Sequence, residues 1–213
     1  MARFSEGNTE LIYKVADLFR RNCLLENQSL IFNDKEIWSL SNLKKLHELF
    51  VSNPDESKRD FLEKYKDQID SAGENVKILA AEILAIYFLF PSNVGGYRKN
   101  EVVNTVLSWS NSMLADDHLL AQAFEQGIGS GGQGYNTRRP NELWFLIEFL
   151  ISWKDLGVEE RSMTIADPWK FANQIDNVEG AESRQLRHML LHLLFPDYFE
   201  RIASGNHKWR VAN

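Results

Sequence analysis

Two stretches of the chain, residues 78–90 and 143–153, are apolar on nearly every side of any helix they form. A helix of that kind has no face to present to water and must be wrapped by other elements. Each stretch is shorter than the roughly 20 residues that span a bilayer, and each carries a carboxylate, Glu82 or Glu148. Both are expected as buried core helices, and the rest of the chain must supply their surroundings. The material is present: 44% of the 213 residues are hydrophobic, with 13 Phe and 6 Trp. That suffices for one large globular domain or two small ones and excludes disorder of the whole.

The surroundings also read as helices. Leu11, Ile12, Val15, Leu18 and Phe19 make one stripe on a helix starting near Asn8. Ser41 can cap a helix carrying Leu43, Leu46, Leu49 and Phe50, stopped at Asn53-Pro54-Asp55. The same Asn53-Pro54-Asp55 is expected to start the next helix, marked by Phe61, Leu62, Tyr65 and Ile69, and Val102, Val103, Val106 and Leu107 mark another within 99–112. Leu119, Leu120, Ala123 and Phe124 follow, and Pro140 suits the first turn of the second apolar helix. Asp167-Pro168 pairs a cap with proline at the first helical position, and the last long helix covers about 181–194. A shorter helix is expected through Tyr198, Phe199 and Ile202. The expected class is all-α in one multi-helix domain, with one short extended segment near 28–38 as the exception. Two lobes, about 1–90 and 98–213, remain an option within it.

Cys23 is the lone cysteine, so an intrachain disulfide and a cysteine-based zinc site are excluded. The start of the chain has no apolar signal region, and a soluble, cytoplasmic protein is expected. Net charge is −6, from 24 basic and 30 acidic residues, which makes a poor non-specific DNA binder. The distribution is uneven: residues 181–213 hold five Lys/Arg against three acids, leaving −8 on the remainder.

Few motifs carry chemistry. Gly127, Gly129 and Gly132 fit G-x-G-x-x-G, but a helix precedes them where a dinucleotide fold needs a strand. The loop reads either as a flexible connector or as a backbone approach to a ligand. In the second case Tyr135 would stack on it and Arg138 and Arg139 would serve a phosphate. His188 and His192 share a helical face, but Met189 stands where a zinc protease needs glutamate, so no metal or cofactor is expected. Glu82 is expected to be neutralised by a basic group of the 184–192 helix, Arg187 foremost, because an unpaired buried charge is very costly. No Ser-His-Asp or Cys-His arrangement is visible, and no catalysis is expected. The tail residues His207, Lys208 and Arg210 complete the basic groups available to a nucleic acid.

Residues 190–208, LLHLLFPDYFERIASGNHK, resemble an L-H-L-L-F-P-D-x-F-E-x-I-x-S element found before the motor module of McrB-like AAA+ restriction proteins. Residues 61–68, 76–84, 143–146 with Trp153-Lys154, and 167–171 resemble further segments of that family in the same order. The resemblance implies the N-terminal, non-ATPase region of such a protein: a DNA-recognition or targeting domain in phage defence. Its partners would be an AAA+ motor and a nuclease subunit. The 213 residues contain no G-x-x-x-x-G-K-[ST], so the motor would lie outside this chain. The same resemblance also fits a regulatory domain that docks a motor or nuclease without touching DNA.

Overall fold

The computed structural model describes residues 9–203, apart from the side chains of Gln133 and Asn136. All of its regular structure is helical, and among the described residues there is no strand. The centre is α4 (Glu74–Leu89), buried at every position from 78 to 89. It is wrapped by α2 (Leu40–Leu46), α5 (Gly96–Ser108) and α8 (Arg139–Asp155), the second apolar helix. Burying a Leu, Ile or Phe is worth about 1.5–3 kcal/mol, so these helices supply much of the drive for folding.

The outer elements close the core. Helix α1 (Thr9–Leu18) packs on α11 (Gln185–Leu194) and on the short α6 (Leu119–Ala123). Helices α9 (Val158–Ile165) and α10 (Pro168–Asp176) pack together, and α10 leans on α8 and α11. α3 (Phe61–Ile69) and α7 (Gly132–Thr137) complete the set. One apolar cluster runs from Ile12 to Ala203, joining residues from both ends of the chain. No helix among the described residues is long and apolar enough to cross a membrane.

Both α1 and α2 continue into π-helical turns, Phe19–Leu25 and His47–Val51. A wider turn leaves carbonyls that need partners outside the ladder. Cys23 and Leu24 receive theirs from α8, as described below.

Several local expectations are corrected. Ser39, not Ser41, caps α2, its oxygen accepting from Asn42 N at 3.3 Å. Helix α3 begins only at Phe61, capped by Asp60. The short extended piece expected near 28–38 is present as one antiparallel bridge, Gln28 to Glu36, which closes a loop whose turn places Asp34 at φ 61°. Tyr198 and Phe199 form turns on Phe195 O rather than a second helix. Asp167 caps α10 as expected, accepting from Trp169 N and Lys170 N.

Candidate functional site

The glycine loop is shaped by packing. A Cβ on Gly127 would lie 2.3 Å from Ser92 Cα, and Ile128 N donates to Phe90 O while Ser92 N donates to Gly129 O. The loop is thus laid against residues 90–92 at the end of α4, where only a residue without a side chain fits. That contact accounts for Gly127, and Phe90 beside Gly129 leaves little room for a Cβ there as well.

Tyr135 does not face solvent. Its ring stacks on Tyr87 with centroids 4.3 Å apart and planes 7° from parallel. Each phenol donates to the other residue's carbonyl: Tyr135 OH to Tyr87 O at 2.7 Å, Tyr87 OH to Tyr135 O at 2.9 Å. Burial pushes the Tyr135 phenol well above its ordinary value. Arg139 is half-buried, its guanidinium 5.0–5.7 Å from the centroids of Phe61, Phe88 and Tyr87. Those π-faces hold the cation in place of an ion pair. Arg138 alone of the three is exposed. The expected ligand platform of Tyr135, Arg138 and Arg139 is therefore not assembled: an aromatic that stacks inside the protein cannot stack on a base. His207, Lys208 and Arg210 lie outside the described residues.

The expected Glu82–Arg187 pair is replaced by two separate arrangements. Glu82, fully buried, accepts from Ser29 Oγ, Leu30 N (3.0 Å), Ile31 N (3.1 Å) and Trp38 Nε1 (2.5 Å). Burial raises its pKa above the usual carboxylate value, and the four donors oppose that shift. Arg187 instead forks onto Asp176, with Nη2 at 2.7 Å from Oδ2. A carboxylate satisfied by N–H and O–H donors needs no cation beside it. The loop 28–38 that supplies those donors carries no sequence signal for the role.

Other buried polar groups were not foreseen. Lys154, 6% exposed, donates to Cys23 O (2.5 Å), Leu24 O (3.0 Å) and Asn27 Oδ1 (2.6 Å), and Trp153 Nε1 also donates to Leu24 O. It closes the π-helical end of α1. Burial, reinforced by Arg161, lowers its ammonium to about 7. Glu142 accepts from Gln185 N and Leu186 N and so caps α11 from a neighbouring helix; Glu148, expected buried, is only half-buried. Lys99, also buried, donates to Gln126 O at 2.8 Å. Lys154, Glu142 and Lys99 are internal braces between elements. Among the described residues no three His, Cys, Asp or Glu side chains group as a metal site.

His192 is buried and positions the segment that follows it. Its Nδ1 lies 2.8 Å from Phe199 O, and its Nε2 2.9 Å from Tyr13 OH. A carbonyl only accepts, so Nδ1 carries the proton. The bond fixes the backbone at Phe199, whose ring meets Phe195 at 6.3 Å and Trp169 at 5.2 Å. Trp169 remains 61% exposed and Tyr198 55%. Beside this corner, a groove of about 350 Å³ runs between α1 and the end of α11, with Tyr13, Arg20, Leu193, Leu194 and Pro196 among its walls. Arg20 joins groove and corner: it donates to Ile165 O at 2.9 Å and covers the Phe195 ring. The exposed aromatic corner is the surface feature most suited to recognition, since large exposed aromatics are enriched at contact sites. Neither a known family, nor a curated protein, nor a solved structure matches this chain.

Proposed function

We propose that this is a protein-docking, regulatory domain, contributing to a McrB-like restriction system by engaging an AAA+ motor or a nuclease subunit. The observation that carries this reading is the inward packing of Tyr135 and Arg139. It takes away the stacking tyrosine and one of the two arginines that a DNA contact at the glycine loop would use, leaving Arg138 alone exposed. Charge points the same way. With Lys208 and Arg210 set aside and Arg3 and Glu6 cancelling, the described residues carry −8. A phosphate backbone is repelled by such a body, whereas a protein surface need not be. The exposed corner at Trp169 and Tyr198 offers the apolar anchors that a protein contact uses.

The test uses the full chain in two assays. Mobility shifts are run at low salt with unmodified duplex, cytosine-methylated duplex and single-stranded DNA. Crosslinking is run against the AAA+ and nuclease subunits of a McrB-like system. Crosslinks without a shift are expected. A salt-sensitive shift with any of the DNAs, in the absence of a crosslink, returns the assignment to direct DNA recognition.

A further inference from the structure

The docking reading leaves open where the partner sits and what it is made of. We propose that the α9–α10 corner, centred on Trp169, binds a basic amphipathic segment of the partner protein; this deepens the docking reading and rests on it.

Two independent properties of the surface converge there. The first is apolar. Trp169 stands in the first turn of α10 with its ring against Phe199, and Tyr198 is exposed beside that residue. On the preceding helix Met163 is 64% exposed. The corner is rigid: Asp167 caps the helix that carries Trp169, and His192 holds the carbonyl of Phe199. Exposed aromatics held in fixed positions lose little entropy on binding, which is what makes them anchors. The second property is charge. Glu159 and Glu160 lie four and three residues before Met163 and therefore share its exposed face. Beside the aromatic residues in sequence stand Asp167, Asp197 and Glu200, against Lys170 and Arg201, so that with Glu159 and Glu160 the acids outnumber the cations. Arg161, the one cation of α9, is buried. An apolar centre with an acidic rim is complementary to a helix with apolar residues on one side and Lys or Arg flanking them. An acidic partner or a nucleic acid would meet like charge around the same anchors.

The neighbouring groove adds room for a side chain from the same segment. Its volume, about 350 Å³, is at the small end of the ~300–1,000 Å³ typical of ligand pockets.

The inference is tested by fluorescence anisotropy of the full chain with two labelled synthetic helices, one of Leu and Lys, one of Leu and Glu in the same pattern. The Leu/Lys helix is expected to bind and the Leu/Glu helix not. Trp169→Ala should weaken binding about tenfold, as loss of a central aromatic anchor does. Glu159→Gln with Glu160→Gln should weaken it severalfold and flatten its salt dependence. A control pair of exposed acids on α3 and the loop before it, Glu56→Gln with Glu63→Gln, should leave it unchanged. All of these side chains except Trp169 are free of packing roles, and the thermal midpoint of Trp169→Ala is measured to show that the fold persists. Equal binding of both helices, wild-type affinity in Trp169→Ala, or an equal loss in the control pair each overturns the corner as the site. None of those results touches the docking reading itself, which the crosslinking decides.

Discussion

Replacing Glu82 by glutamine removes one charge and almost no volume, so its effect isolates the hydrogen bonding of the buried carboxylate. Both oxygens of Glu82 accept: Oε1 from Ser29 Oγ and Ile31 N, Oε2 from Leu30 N and Trp38 Nε1. Glutamine keeps one acceptor and turns the other position into a donor. With the amide nitrogen at the Oε2 position, Leu30 N and Trp38 Nε1 face an N–H₂ group; at the Oε1 position Ser29 Oγ loses its acceptor, while Ile31 N keeps a second one, Ser29 Oγ at 3.1 Å. A buried donor left unsatisfied costs about 1–3 kcal/mol. The cheaper placement loses one, about 2 kcal/mol. Urea unfolding followed by tryptophan fluorescence measures this directly. With a slope of about 2.5 kcal/mol/M, the midpoint should fall by about 0.8 M. Ser29→Ala alone should cost about 1 kcal/mol and be non-additive with Glu82→Gln, since both remove the same contact. A midpoint shift below about 0.3 M would refute the reasoning, for it would mean that Glu82 is already protonated and that glutamine mimics its native state.

Further expectations follow from the same contacts. Lys154 titrates near 7 in the folded chain against an ordinary 10.5. The unfolded chain therefore binds more protons above pH 7, and stability should rise by about 2 kcal/mol between pH 7 and pH 9, as read from urea midpoints. Lys154→Met should flatten that rise. Glu82 shifts the other way: its raised folded value means that stability is lost as pH rises from the unfolded carboxylate value to the folded one, a dependence that Glu82→Gln should abolish. Gly127→Ala forces a Cβ to within 2.3 Å of Ser92 Cα and should cost at least about 2 kcal/mol, seen as a lower thermal midpoint. Asp167→Ala removes the α10 cap and should cost about 1 kcal/mol in the same assay.

The core was legible in the chain because its signal is local and redundant. Apolarity over 78–90, broken only by Glu82, admits only a wrapped helix, and α4 is buried through that stretch. The cap at Asp167-Pro168 and the proline opening α8 were readable for the same reason, each depending on residues two or three positions away. Helix α9, with three charges in its first four residues and only Arg161 and Ile165 buried, carries too little periodicity to be recognised. The π-helical extensions of α1 and α2 were also illegible, since a helical stripe reads alike for either turn.

The candidate site divides along the same line. Which residues could do chemistry, among them Glu82, Tyr135, Arg139 and His192, is a property of composition and could be named from the sequence. Whether each faces water, a cation or another ring depends on partners up to 179 residues away, as between Tyr13 and His192. Burial pairs Tyr135 with Tyr87 and satisfies Glu82 with loop donors because a buried polar group must find a partner, and the nearest correct one is chosen by packing. The sequence alone determined an all-helical chain around two apolar helices. Only the tertiary structure decided that its polar motifs brace the interior and that Trp169 and Tyr198 are left at the surface, because contact between distant elements is what sorts side chains into inside and outside.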